Sequence, residues 1–173
     1  RLMERPQSVY KMLYQQQGLR FEQGADRLTV EGALTPGEYE LAGNVSSQFI
    51  SGLLFALPLL GGTSTLHLIP PVESRSYIDM TRAVQHAFGV ESCWLDENTL
   101  EIPGGQHYLP GDYTVEGDYS QAAFPAVLGA VCGGVTITGL APDTLQGDAA
   151  ILDILRRCGA VFTRTGDSVT FAK

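Results

Sequence analysis

The sequence predicts an α/β protein built from tandem βαβαββ modules. Three observations carry this. Helical and strand periodicities alternate along the chain, glycines stop the helical segments, and the whole order of elements recurs after about seventy residues.

Pro6 to Gln17 carries Val9, Tyr10, Leu13 and Tyr14 at helical spacing, with Pro6 acceptable in a first turn and Gly18 as the stop. Leu19 to Phe21 and Leu28 to Val30 then read as a hairpin around Gly24-Ala25-Asp26. Glu38 to Leu41 is a short strand that enters the loop Gly43-Asn44-Val45-Ser46-Ser47-Gln48. Ser47 to Leu60 follows as a helix ended near Gly61-Gly62. Thr63 to Leu68 alternates like a strand, and Ser76 or Tyr77 to Phe88 is the next helix. Val90 to Trp94 and Thr99 to Ile102 form a second hairpin around Asp96-Glu97-Asn98.

From Tyr113 the same order returns. Ser47-Gln48 matches Ser120-Gln121 at a separation of 73 residues, and Gly89 matches Gly159 at 70. Gly18 stands 71 residues before Gly89, so the opening helix and hairpin are part of a third copy. The modules are therefore a partial one over 1–32, a full one over 37–103 and a further one over 117–173. Parallel strands joined through helices would pack those helices against a sheet.

Composition narrows the function. Twenty glycines and nine prolines punctuate periodic apolar segments without any low-complexity run, which fits a globular chain of short elements. A formal net charge of −8 argues against a general nucleic-acid surface, so an anionic ligand must be held by local donors. Cys93, Cys132 and Cys158 lack CxxC spacing, which indicates neither a disulfide framework nor a zinc site and fits a reduced, cytoplasmic setting. These cysteines and Trp94 are expected to fill core space. The longest apolar run, Phe49 to Leu60, is too short to span a bilayer and reads as a buried helix. Arg1 to Pro6 reads as the interior of a helix rather than a natural start, which makes a fragment the expectation.

The informative loop is Gly43 to Gln48. Glycine permits close backbone approach, and Asn, two serines and a glutamine supply hydrogen-bonding groups where an apolar helix begins. First-turn N–H groups lack intrahelical partners and the helix dipole is positive there, so an anion would be stabilised without a metal. The same residues are ordinary N-caps. The second copy, Gly117-Asp118-Tyr119-Ser120-Gln121, keeps the capping pattern but has Tyr119 where the first of the paired serines stands, which marks Ser46 as the residue beyond capping. His67, His86 and His107 have no metal-ligand spacing and read as structural or surface residues. Asp79 and Asp148 read as first-turn acids facing a helix dipole. Arg156-Arg157 suit a helix C-terminus.

Four stretches resemble the enolpyruvyl transferases, and within them the enolpyruvyl-shikimate-phosphate synthases. Glu4-Arg5-Pro6 is similar to the family's Arg-Pro helix entry, and Gly43 to Phe49 to its G-x-x-S-S-Q-[FY] segment. Ser74-Arg75-Ser76-Tyr77-Ile78-Asp79-Met80-Thr81 resembles S-[KR]-P-Y-I-[DE]-x-T, with Ser76 in place of Pro. Gly117 to Phe124 resembles G-D-x-S-S-A-x-[FY], with Gln121 in place of the second Ser.

The resemblance implies the inverted α/β fold of that family, with mixed sheets and buried helices arranged in two lobes. Residues 1–116 would lie in the lobe that holds shikimate 3-phosphate, and 117–173 would be one module of the other lobe. The implied activity is transfer of the enolpyruvyl group of phosphoenolpyruvate onto shikimate 3-phosphate, in aromatic amino-acid biosynthesis, by a cytoplasmic, monomeric enzyme with neither cofactor nor metal. By resemblance, Ser46, Ser47 and Ser74 would bind the shikimate phosphate. Gln48 would lie between the substrates, Tyr77 on the shikimate side, and Arg5 on phosphoenolpyruvate, with Arg75 a nearby charge. The family's acid–base residues and several of its basic residues have no counterpart in these 173 residues, so the chain alone is expected to be inactive. Two rivals are a non-catalytic anion-binding or assembly module on the same repeat and a relative of the UDP-N-acetylglucosamine enolpyruvyl transferases. The latter share the module but not the Ser-Ser-Gln site, and their reactive cysteine loop is not evident here.

Overall fold

The computed structural model describes residues 7–44 and 46–172. The chain divides into two compact units, residues 1–111 and 112–173.

The first unit opens with helix α1 (Ser8–Gln16) and the antiparallel hairpin of β1 (Arg20–Gln23) and β2 (Leu28–Glu31). Strand β3 (Glu38–Ala42) leads to α2 (Ser47–Ala56), which tightens into a 3₁₀ turn over Leu57–Leu59 where Pro58 stands. β4 (Ser64–Ile69), α3 (Arg75–Ala87), β5 (Cys93–Trp94) and β6 (Thr99–Ile102) complete it. The sheet order is β3-β4-β6-β5, with β3 and β4 parallel and the other pairs antiparallel.

Alternation along the strands gives this sheet one apolar face. Tyr39, Leu41, Leu66, Leu68, Leu100 and Ile102 are buried against Leu13 of α1, Ile50, Leu53 and Leu54 of α2, and Ile78 of α3. On the opposite face Glu38, Glu40 and His67 are exposed. This is the half-buried sheet that period-2 patterning encodes.

The second unit contains α4 (Tyr119–Cys132), β7 (Thr136–Ile137), a 3₁₀ turn over Gly147–Ala149, α5 (Ala150–Arg157), β8 (Phe162–Thr165) and β9 (Ser168–Phe171). Its sheet is antiparallel, in the order β7-β9-β8. Tyr119, Ala126, Leu152, Leu155, Val169 and Phe171 form its core. α4 is apolar nearly all round, and Phe124, Val127, Leu128 and Val131 make an exposed stripe on it.

The repeat is visible in the backbone bonds. Each of three helices ends in a glycine of positive φ, Gly18 (+69°), Gly89 (+79°) and Gly159 (+92°). The next N–H reaches back five residues in each case: Leu19 to Tyr14 O at 2.8 Å, Val90 to Gln85 O at 3.0 Å, and Ala160 to Leu155 O at 3.0 Å. This is the Schellman geometry that satisfies terminal carbonyls, and it needs the left-handed residue that glycine supplies.

The second copy departs from the predicted order at its first strand. Among the described residues no strand lies between β6 and α4. The neighbour such a strand would pair with, β7, is only two residues long, and Val115 is 81% exposed. One tie remains, from Gly117 N to Gly139 O at 2.7 Å, like that from Gly43 N to Ile69 O at 2.7 Å. The expectation of core cysteines is also corrected. All three are exposed, because Cys93 sits on a two-residue edge strand, Cys132 ends α4 and Cys158 follows α5. Trp94, by contrast, does pack on the core.

Gly129 faces Phe171 so closely that a Cβ would lie 2.7 Å from the ring, and Phe171 is itself buried. Gly129→Ala is expected to destabilise the second unit by about 1–3 kcal/mol, the overpacking cost outweighing the gain in helix propensity. Thermal or urea unfolding of the variant measures this.

Asp118 caps α4, accepting from Ser120 N at 2.8 Å and Gln121 N at 3.4 Å. The Ser120 hydroxyl first, and then these backbone donors, hold its carboxyl below the usual carboxylate range. A carboxyl depressed on folding contributes stability above its unfolded pKa and loses it as pH falls through the folded value. Asp118→Asn, which retains the capping oxygen but not the charge, is therefore expected to be slightly less stable near neutrality and to flatten the acid limb of a melting-temperature profile.

Candidate functional site

The loops at Gly43 and at Glu73 are held against each other. A Cβ on Gly43 would lie 2.8 Å from Val72 Cγ2 and 2.9 Å from Ile69 O, so only glycine fits. Gly43 N donates to Ile69 O at 2.7 Å, and Glu73 N to Gly43 O at 3.3 Å. Because β3 and β4 are parallel, with Ala42 opposite Ile69, the chain leaves both strands at the same edge. The N-termini of α2 and α3 consequently stand side by side, two positive dipole ends at one edge.

Between these helices lies an open cleft of about 540 Å³. α2 lines it with Ser46, Ser47, Gln48, Ser51, Gly52 and Phe55, and α3 with Tyr77, Met80 and Thr81. Hydroxyls, one amide and apolar surface meet there, and none of these residues is an acid. A slightly larger cavity on the outer face of the sheet has Glu38, Glu40 and His67 among its lining residues and is a poorer host for an anion.

Four of the six residues expected from the sequence, Ser46, Ser47, Gln48 and Tyr77, are thus brought together. Ser74 does not line the cleft. It is the N-cap position of α3, and its side chain makes no capping bond. Arg5 lies outside the described residues. Arg75 turns away from the cleft, donating to Glu97 O at 2.6 Å and stacking 4.0 Å from the Trp94 ring centroid.

Ser46, singled out as exceeding capping, is itself the cap of α2. Its Oγ accepts from Gln48 N at 3.4 Å, a long contact that leaves the hydroxyl proton for another acceptor. Ser51, Gly52, Phe55, Met80 and Thr81 are the lining residues not singled out in the sequence. Helical spacing could have found them, since Ser51 is four residues after Ser47, and Met80 and Thr81 are three and four after Tyr77.

Asp79 is not a first-turn acid, because α3 begins at Arg75. Its Oδ1 accepts from Trp94 Nε1 at 2.7 Å and from Arg82 Nη1 at 3.0 Å, which makes it the joint between α3 and β5. His67 and His86 are exposed and pair with Thr99 and Glu91. Among the described residues no group of His, Cys, Asp or Glu could hold a metal ion, and no helix is long and apolar enough to cross a membrane.

Removing the Asp79 carboxylate leaves two partly buried donors unpaired. Asp79→Ala is expected to cost about 1–3 kcal/mol of stability. It is read from urea unfolding followed by the fluorescence of Trp94, the only tryptophan.

Comparison with known proteins adds the following. The profile of the EPSP synthase (3-phosphoshikimate 1-carboxyvinyltransferase) family matches residues 3–173. A 3-phosphoshikimate 1-carboxyvinyltransferase of Brachyspira hyodysenteriae is 41% identical over 174 residues, covering 100% of this chain and 41% of that protein. One from Clostridium kluyveri is 43% identical over 161 residues, covering 92% of this chain and 38% of that protein. The chain thus spans about 40% of the length of these relatives. Among solved structures, an EPSP synthase of Acinetobacter baumannii superposes with a TM-score of 0.75 at 22% identity, over 99% of this chain and 40% of that one. The enolpyruvyl transferase NikO of Streptomyces tendae does so with a TM-score of 0.70 at 20% identity, over 96% of this chain and 42% of that one. These likenesses establish the fold.

Proposed function

The chain belongs to the EPSP synthase (3-phosphoshikimate 1-carboxyvinyltransferase) family, and we propose that it is the part of such an enzyme that holds shikimate 3-phosphate while an enolpyruvyl group is transferred to it from phosphoenolpyruvate. The observation that carries this reading is the cleft in which Ser46, Ser47, Gln48 and Tyr77 meet at the N-terminus of α2. A phosphate dianion there lies at the positive end of a helix, within reach of hydroxyl donors, and no lining carboxylate repels it.

In this reading Ser46 and Ser47 donate hydroxyl protons to the phosphate, and Ser74 adds a third donor from the neighbouring helix end. Gln48, on the first turn of α2, lies between the two substrates, and Tyr77 lines the ring side. Arg5 clamps the phosphoenolpyruvate anion, as a guanidinium fork suits a carboxylate or phosphate. Residues to about Glu116 belong to the lobe that binds shikimate 3-phosphate and the remainder to a module of the other lobe. The enzyme works as a cytoplasmic monomer on these two small anions.

The cleft binds and orients, but it offers no acid–base pair. Transfer requires a proton to be moved to and from the enolpyruvyl carbon, and no residue of the cleft is an Asp, Glu, Lys or His. Ligand binding is therefore expected without turnover.

Calorimetry of the 173-residue chain is expected to show binding of shikimate 3-phosphate. Ser47→Ala should lower the affinity about tenfold, the worth of one hydrogen bond to a charged group. Ser46→Ala should lower both affinity and melting temperature, because it also removes a cap. A chain that binds no shikimate 3-phosphate at millimolar concentration would refute the half-site, and release of phosphate from phosphoenolpyruvate by the chain alone would refute its catalytic incompleteness.

A further inference from the structure

The floor of the cleft carries a hydrogen-bond chain whose polarity is fixed by its last member. Thr81 Oγ1 lies 2.9 Å from Tyr77 O, one turn earlier in α3, and 2.7 Å from Ser51 Oγ of α2. A carbonyl only accepts, so the single hydroxyl proton of Thr81 goes to Tyr77 O, the back-bonding open to threonine within a helix. Thr81 must then accept from Ser51, which commits the one proton of Ser51 as well. What Ser51 presents to the cleft is a lone pair without a proton.

Ser51 follows Ser47 by one helical turn, a rise of about 6 Å along α2. The cleft therefore changes character along its length. Donors gather at the helix N-terminus, and an acceptor stands one turn further in, within the span of a phosphorylated six-membered ring.

We propose that Ser51 accepts a hydrogen bond from a ring hydroxyl of the phosphorylated ligand, and that Thr81 is the positioning residue that fixes the polarity of Ser51. The proposal rests on the phosphate site described above and deepens it. The cleft would take a phosphorylated cyclic alcohol in one direction, phosphate toward Ser46 and Ser47 and a hydroxyl toward Ser51, and would discriminate against a ring without that hydroxyl. A bare phosphate ion would not use Ser51 at all.

Two probes separate the roles, shikimate 3-phosphate and inorganic phosphate, titrated into the 173-residue chain. Ser51→Ala is expected to weaken shikimate 3-phosphate about 3- to 10-fold and to leave inorganic phosphate unchanged, alanine being well tolerated within a helix. Thr81→Val, which removes the acceptor and releases the Ser51 proton, is expected to do the same. Thr81→Ser restores the chain and should recover wild-type binding, which a merely steric role for the threonine methyl would not. The proposal is overturned if Ser51→Ala leaves shikimate 3-phosphate binding intact, if both probes weaken in equal ratio, or if Thr81→Ser fails to rescue. A wild-type chain that binds neither probe overturns the phosphate site itself, an outcome distinct from a chain that binds both and ignores Ser51.

Discussion

The parallel pairing of β3 with β4 is the constraint on which the site depends. A hairpin would have sent the two following segments from opposite ends of the sheet. Parallel pairing sends them from the same end, and the register that sets Ala42 against Ile69 makes them leave side by side. Gly43 then admits Ile69 and Val72 at distances a side chain would forbid, which fixes the spacing between the two helix starts. The apolar face of the sheet and the three helices on it supply the stability. The cleft is where two of those helices begin.

The second copy of the module shows what the first adds. Its helix α4 also begins after a Gly and an Asx residue, but Asp118 is the cap itself. Its carboxylate takes the Ser120 hydroxyl at 2.5 Å and two backbone N–H groups. The positive end of α4 is thus already met by a negative charge of the protein's own. In the first copy the cap is a neutral serine with one long contact of 3.4 Å, and the field of α2 is left for a ligand. The same framework therefore gives a helix end met by a carboxylate in one copy, Asp118, and by a neutral hydroxyl in the other, Ser46.

Much of this was legible in the sequence, because it is written in local terms. Alternation of Tyr39 and Leu41 with Glu38 and Glu40 gives a one-sided strand, and Gly18, Gly89 and Gly159 end their helices by the same left-handed turn. The Gly43–Gln48 loop is legible as chemistry from its residues alone, and Tyr77 through the resemblance of Ser74–Thr81 to a family segment. What escaped depends on distance in space or on small shifts of boundary. Starting α3 at Arg75 rather than Ser76 or Tyr77 moves Asp79 out of the first turn, and only the fold reveals Trp94 as its partner. The strand expected before α4 fails because its would-be neighbour is too short to form a ladder, a tertiary fact that residues 113–116 do not carry. The cysteines defeat the usual burial trend because each falls at an end or an edge. The chain Ser51–Thr81–Tyr77 joins two helices that no spacing rule connects.

The far end of α2 is met by side chains of the protein itself. The last carbonyls of a helix need donors, and here they are supplied from within the protein. Gln85 Nε2, almost wholly buried on α3, donates to Leu54 O at 2.7 Å and to the Tyr108 hydroxyl at 2.8 Å, and Tyr108 in turn donates to Phe55 O at 3.1 Å. The segment carrying Tyr108 is itself tied down, Gln106 N reaching Pro58 O at 2.9 Å and Leu109 N reaching Phe88 O at 2.8 Å. α2 is therefore tied to α3 by Gln85 at its far end and by Ser51–Thr81 midway, while the Gly43 contact joins the two loops that lead into these helices. The start of α2, with the Ser46 and Ser47 side chains beside it, lines the cleft, so the dipole field that a phosphate would experience there belongs to the fold itself.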